Sequence, residues 1–260
     1  MEGVHHGWLG MASSPEIRNA GVKLRVRQLV VVVPVHNEAG CLSRCLASVR
    51  RAATQVDVPV RTMVVLDSCT DGSEASIGSN VTSIAVHERN VGAARAAGFA
   101  WAGSANSGET WFVSTDADCV VPPWWLRRHL AHAETGAGAV CGTVAVRNWG
   151  GLNEVVRTRY ESSYVSRDGH RHIHGANLGV RASDYWAVGG FHSLHTGEDV
   201  DLVRRLTSRG IRITWTGNMP VVTSARLQGR APDGFAAHLR SLQRRAHECG
   251  ELTTDPAVRR

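Results

Sequence analysis

The stretch Trp111-Phe112-Val113-Ser114-Thr115-Asp116-Ala117-Asp118 decides the reading of this chain. An apolar, strand-like run ends in two carboxylates one residue apart. Alternate residues of a strand point the same way, so Asp116 and Asp118 converge on one spot at the strand's C-terminal end. Two carboxylates held there repel unless a cation or a set of donors lies between them. A hard divalent cation with oxygen ligands, itself bound to phosphate oxygens, fits such a pair. Two solvated loop carboxylates are the plain alternative.

Upstream, Gln28–Val33 and Val60–Leu66 are apolar runs of the kind expected for strands buried on both faces. The first is stopped by Pro34-Val35-His36-Asn37-Glu38 and the second by Asp67-Ser68-Cys69-Thr70-Asp71-Gly72, which is turn chemistry. Leu42, Cys45, Leu46 and Val49 lie at helical spacing between them. Thr82–Val86 reads as a third strand, Asn90 as the cap of an Ala-rich helix through Trp101, and Pro123 as the start of a helix after the fourth strand. Strands alternating with helices predict an α/β fold with a mostly parallel sheet and right-handed crossovers. Ligands of such sheets bind at the carboxyl ends of the strands. His36–Glu38, Asp67–Asp71 and Asp116–Asp118 all follow strand ends, so three strands deliver acidic groups to one edge.

Downstream, Gly138–Ala145 predicts a further strand, 146–172 is polar and loosely patterned, and Ser183–Val188 reads as a helix broken by Gly189-Gly190-Phe191. Glu198-Asp199 opens a helix with Leu202, Val203 and Leu206 on one face; Ile211–Thr214 is a short strand and Phe235–Cys249 a basic helix. The expected division is a polar lead-in over 1–27, one domain over 28–225, and a basic C-terminal helix and tail over 226–260.

The chain has 260 residues, 43% apolar and 20% charged, as in an ordinary soluble protein. Leu29–Val35 is too short to span a bilayer, and Met1–Gly21 lacks the pattern of a secretory signal. Six scattered cysteines suit free thiols in a reducing compartment, so the cytoplasm is expected. Cys41 and Cys45, four apart on a helix, are read as core; a zinc pair is the other reading. The net charge of +6 comes mainly from Arg, a good partner for phosphate. The basic residues follow no nucleic-acid recognition motif, so no nucleic-acid partner is expected.

Six pieces in order now resemble the family 2 glycosyltransferases of GT-A fold. They are Val31–Glu38, Val64–Ser73, Asn90–Gly98, Thr115–Asp118, Gly189–Phe191 and Gly197–Asp201, spread over about residues 28–215. The resemblance implies inverting transfer of a sugar from a nucleotide-diphosphate donor to an acceptor hydroxyl, assisted by Mg²⁺ or Mn²⁺. It implies that Pro34, His36 and Glu38 line the nucleoside, with Glu38 facing the ribose. It implies that Asp67 accepts from the base ring N–H, which favours a UDP-sugar, and that Arg95 lies near the nucleotide. Leu66 stands where the family often has a first Asp, leaving Asp67 alone there. Asp118 matches the direct metal ligand, with Asp116 facing ribose or metal water.

The same resemblance makes Asp199 the base that removes the acceptor proton, with Glu198 supporting the acceptor or the loop; a helix-capping pair is the alternative. His170, His172 and His174 are candidates for a third metal ligand by composition only. Gly189–Phe191 shapes the acceptor side, and Trp186 either stacks on a sugar or packs in the core. Arg226 and Arg230 either close over the diphosphate or are surface charges. Arg240, Arg244, Arg245 and His247 give the last helix a basic face, which either rests on an anionic membrane holding a lipid acceptor or is simply solvated. The acceptor (saccharide, lipid or small molecule) and the oligomeric state are not legible. Two rival readings are a sugar-phosphate nucleotidyltransferase, which needs a Gly-rich basic loop where Pro34–Gly40 stands, and a non-catalytic nucleotide-sugar-binding protein, which needs no Asp199.

Overall fold

The computed structural model describes residues 25–103, 108–150, 152–226 and 235–248. Most of the expected lead-in, Arg230 and Cys249 lie outside them. The strands are β1 (Gln28–Val35), β2 (Val60–Asp67), β3 (Thr82–Val86), β4 (Thr110–Ser114), β5 (Ala139–Val146), β6 (Leu178–Arg181) and β7 (Ile213–Thr223). The helices are α1 (Ala39–Ala53), α2 (Val91–Trp101), α3 (Trp125–Glu134), α4 (Glu154–Ser163), α5 (Ala182–Ala187), α6 (Glu198–Ser208) and α7 (Phe235–Glu248).

The strands form one sheet in the order β3-β2-β1-β4-β6-β5-β7. β1 to β4 run parallel, with Val31 opposite both Thr62 and Val113. β6 is antiparallel to both β4 and β5, and β7 is parallel to β5. The chain leaves β1 toward β2 and β3 on one side and returns to β4 on the other. This makes the carboxyl ends of β1 and β4 a topological switch point, where open α/β sheets bind ligands.

The uninterrupted valine run of β1 has a physical reason. Val31, Val33 and Val35 pack with Leu42 and Leu46 of α1 and with Trp125 and Leu126 of α3. Val30 and Val32 face the opposite side, with Phe99 of α2, Tyr185 of α5 and Leu202 and Leu206 of α6. A strand covered on both faces must be apolar throughout. Asn90 caps α2 by accepting from Ala93 N–H at 2.9 Å, as its position predicts.

Four elements differ from the sequence expectation. Pro123 precedes α3 instead of opening it: Trp125 N–H bonds back to Pro122 C=O, and the helix starts at Trp125. The loosely patterned 146–172 contains α4, capped by Asn153 accepting from Val155 N–H. It buries only Val156 and Tyr160, too few to write a helical period. β7 runs through Gly217, Asn218 and Pro220 because it is the edge strand, paired with β5 and bridged once by Val222 to Val120, and the β5 pairing shifts register between Gly142 and Val144. An edge strand tolerates such breakers. Finally, α7 lays Leu239, Leu242 and Ala246 against Val156 and Tyr160 of α4, so the expected separate C-terminal helix is packed on the domain. Among the described residues no helix is long and apolar enough to cross a membrane.

Candidate active site

The turn after β1 is built by side chains from the β2 end. His36 Nδ1 lies 2.6 Å from Asp67 C=O, so this nitrogen carries the proton and Nε2 is left as an acceptor. Asp71 accepts from Ala39 N–H at 2.9 Å and from Ser73 N–H and Oγ–H; Ser73 Oγ accepts from Glu38 N–H. Asp71 is therefore a turn-former that also caps α1. Burial opposes its charge, but the Ser73 and Ala39 donors outweigh it and hold its carboxyl below the usual range.

Asp67 is bonded mainly by backbone amides. Its Oδ1 accepts from Glu88 N–H at 2.9 Å, Arg89 N–H at 2.8 Å and Ser68 Oγ–H at 3.1 Å, and its Oδ2 from Asn90 N–H at 2.8 Å. Oδ1 takes three of these donors and Oδ2 one, so Oδ2 keeps a lone pair for a further donor. Asp67 thus holds the loop that leads into α2. His36 stands on the same edge, bonded to Asp67 C=O.

Arg95 organises the centre of the site. It lies on the second turn of α2, 3% exposed. Its Nε donates to Ser114 Oγ at 3.0 Å, one terminal nitrogen to Asp116 Oδ1 at 2.7 Å, and the other to Glu198 Oε1. The guanidinium also lies over the Phe191 ring, 5.5 Å from its centroid. Burial alone would weaken its charge, but Asp116 and Glu198 outweigh that and the net shift is upward. A Cβ at Gly175 would come 2.5 Å from Arg95 Nη2, so only glycine leaves room for this arrangement. Arg95, expected near the nucleotide, joins the end of β4 to the start of α6 through Asp116 and Glu198.

Asp199 begins α6 beside Glu198. Its Oδ2 accepts from Gly175 N–H at 2.7 Å and its Oδ1 from Val200 N–H at 2.8 Å. Burial, then the Glu198 charge, raise its pKa against Arg95 and these two amides. The loop before it is anchored by Arg205, whose guanidinium bonds Asp201 and the carbonyls of Val188 and Gly190. Gly190 has φ 69°, and a Cβ there would meet the Tyr185 ring at 2.7 Å. Asn90 Nδ2 donates to Leu194 C=O at 2.7 Å, tying the same loop to α2. Trp186 packs edge-on against Phe112 and Tyr185, which makes it a core residue and not a sugar platform.

Asp116, Asp118 and Cys119 bring one ligand atom each within 4.8 Å of one another, the one such group found among the described residues. Burial, then Asp116, push the Asp118 pKa up to about 6, against Arg226. Cys119 is buried, its thiol raised by that burial, so the donor set in use is two carboxylates. Hard oxygens in this number suit Mg²⁺ or Mn²⁺. The three histidines do not join them. His172 stacks on Tyr164 at 4.2 Å and accepts from Val165 N–H, His174 Nε2 bonds Tyr164 Oη at 2.9 Å, and His170 Nε2 lies 3.2 Å from Thr216 C=O. Burial, then His172 and His170, lower the His174 pKa to about 4. Cys45 is buried, its Sγ donating to Asp116 C=O, and Cys41 and Cys45 are free thiols outside any metal group.

Arg226 lies just past β7, at the end of the edge strand. It forms a two-pronged pair with Glu38, at 2.7 and 2.5 Å, and lies 3.3 Å from Asp118 Oδ2. Pro34 is buried in β1, one residue short of the switch point. Glu38, Asp118 and Arg226 therefore meet where the β1 and β4 ends come together, and Arg95 links Asp116 to Glu198.

Residues 30–189 match the family model described as Glycosyl transferase family 2. The chain belongs to this family. The pre-mycofactocin glycosyltransferases of Mycobacterium tuberculosis strains CDC 1551 / Oshkosh and H37Rv are 30% identical to it over 208 residues. That alignment covers 73% of this chain and 41% of those relatives, so the chain spans about two fifths of their length. Among solved structures, S. aureus TarS 1-349 in complex with UDP-GlcNAc superposes with a TM-score of 0.59 at 14% identity, over 80% of this chain and 61% of that one. The mannosyltransferase PcManGT from Pyrobaculum calidifontis in complex with GDP-Man and Mn²⁺ gives 0.57 at 18% identity, over 89% and 66%. GalNAc-T7 with UDP, GalNAc and Mn²⁺ gives 0.58 at 13%, over 79% and 46%. These likenesses establish the GT-A fold. The family match ends at residue 189, before Glu198 and Asp199.

Proposed function

We propose that this family 2 protein is an inverting glycosyltransferase that moves a sugar from a nucleotide-diphosphate donor to an acceptor hydroxyl. The observation that carries the proposal is Arg95, whose guanidinium bonds Asp116 on one side and Glu198 on the other. One rigid cation thereby fixes the distance between the donor end of the site and the acid pair at the acceptor end.

In this proposal Asp118 and Asp116 hold Mg²⁺ or Mn²⁺, which when bound offsets the charge gathering on the departing diphosphate. Pro34 and His36 line the nucleoside and Glu38 faces the ribose. Asp67, with Oδ2 bonded only to Asn90 N–H, still has an acceptor for the ring N–H of a base, as a UDP preference requires. His36 Nε2 can accept from the ring N–H of uracil or of guanine, so a UDP-sugar remains the first donor to try without excluding GDP. Asp199 takes the acceptor hydroxyl proton as the acceptor oxygen forms its bond to the anomeric carbon and the diphosphate leaves from the opposite face. Glu198, held by Arg95, keeps Asp199 oriented and its proton affinity raised. Free thiols and a nucleotide-sugar donor fit the cytoplasm. Contact with anionic lipid through α7 has only exposed arginines such as Arg244 and Arg245 to use, since its apolar face is committed to α4.

Titration calorimetry tests the donor half. UDP or GDP should bind more tightly with Mn²⁺ than with EDTA, and Asp118→Ala should erase that difference. Equal affinity with and without metal in the unaltered protein would overturn the metal assignment.

A further inference from the structure

The family's acidic pair accounts for Asp118 and the turn after β1 for Glu38, but neither explains why Arg226 joins the two. Glu38 is 7% exposed and Asp118 side chain 11% exposed; they come from the ends of β1 and β4. Arg226 reaches both from the end of β7, with two bonds to Glu38 and 3.3 Å to Asp118 Oδ2. Its guanidinium therefore lies between the nucleoside side of the site and the carboxylate pair. That is the ground a diphosphate must cross to run from one to the other.

We propose that Arg226 is an exchangeable internal cation: it neutralises Asp118 while the site is empty and passes to the donor diphosphate when the nucleotide binds. The inference deepens the proposed function and rests on its metal and nucleotide assignments. Three features support it. A divalent cation on Asp118 would lie against the fixed positive charge of Arg226, and the two repel at this range. A planar guanidinium prefers the paired oxygens of a phosphate as a partner, so a nucleotide diphosphate competes well for it. The Arg226 side chain is 30% exposed, far more than either carboxylate it bridges, so an incoming anion can reach it. The consequence is coupling. The diphosphate draws Arg226 from Asp118 and so raises the affinity for metal, and by linkage the metal raises the affinity for nucleotide by the same factor.

The test measures Mn²⁺ binding by calorimetry and by the EPR signal of free Mn²⁺, with and without UDP or GDP, and uses no turnover. In the unaltered protein, nucleotide should tighten Mn²⁺ binding about tenfold or more, within the roughly 5–150-fold usual for coupled sites. Arg226→Gln should bind Mn²⁺ about tenfold more tightly than the unaltered protein when no nucleotide is present. The same variant should show a smaller gain on adding nucleotide. Because Arg226→Gln removes the ion pair that Arg226 makes with Glu38, Arg226→Gln with Glu38→Gln serves as the folded control, and melting curves in EDTA check both. Unchanged Mn²⁺ affinity in both variants, with nucleotide still sharpening metal binding, would overturn the exchange and leave the metal site standing. Failure of Mn²⁺ to bind the unaltered protein with UDP or GDP present would overturn the proposed function along with it. Tighter Mn²⁺ binding in both variants supports the exchange.

Discussion

Asp199→Asn should lower turnover by about 10²–10⁴-fold, roughly 3–5 kcal/mol of barrier, while nucleotide affinity and melting temperature change little. The carboxylate sits at the start of α6, where the helix dipole and the amides of Gly175 and Val200 favour its charge. Burial and Glu198 oppose this and win, so its pKa is raised. An ionised yet basic carboxylate is what removal of a hydroxyl proton requires. The sign of the pH dependence follows. Turnover needs the ionised form, so it should be lost as pH falls through a folded pKa above the ordinary carboxylate range. A raised carboxyl pKa also means that ionised Asp199 costs stability at neutral pH: the stability present at low pH, where the group is protonated, is lost as pH rises through the folded pKa. Asparagine should therefore not lower the melting temperature at pH 7 by more than a few degrees. Near-normal turnover in Asp199→Asn would leave the Glu-Asp pair as a helix opening and nothing more.

Arg95→Met should cost about 3–5 kcal/mol of folding stability and abolish turnover. Methionine nearly fills the space, so the effect is one of charge. It leaves Glu198 buried and Asp116 half-covered with no guanidinium between them. Breaking a buried pair by removing one partner strands the other charge, which is the expensive case. At roughly 2–4 °C per kcal/mol for a chain of this size, the melting temperature should fall by roughly 6–20 °C. Adding Glu198→Gln to Arg95→Met should recover about 0.5–3 kcal/mol, because the two sites share one interaction. Strict additivity of the two substitutions in a double-mutant cycle would show that Arg95 and Glu198 are not coupled.

Where the sequence spoke clearly, one residue type had one physical reason to be there. The runs of β1, β2 and β4 are apolar on both faces because helices cover both, and Asn90 caps α2 because its side chain meets Ala93 N–H. Asp116 and Asp118 follow the β4 end as expected, but in the turn after Ser114 and not on the strand whose alternation was to aim them. Legibility failed where a residue answers to distant partners. Asp67 looks like a free acid at a strand end, yet three amides from 88–90 bond it, and nothing in a turn sequence announces them. Arg95 looks like one face of an Ala-rich helix, and its bond to Glu198 closes over 103 residues. Arg226 and Glu38 are 188 residues apart and become a pair only through the sheet order. Helix α4 escaped notice because two buried side chains, Val156 and Tyr160, write no period.

The central claim is that Asp199 activates the acceptor from the face opposite the leaving diphosphate. It is tested most directly with water as acceptor, so that the natural acceptor need not be known. The protein is incubated with α-linked UDP- and GDP-sugars and Mn²⁺, and the released sugar is followed by proton NMR at times shorter than mutarotation. The β-anomer should appear first, and its formation should be lost in Asp199→Asn. First appearance of the α-anomer would contradict it, because retention cannot come from a single base on the far side of the anomeric carbon.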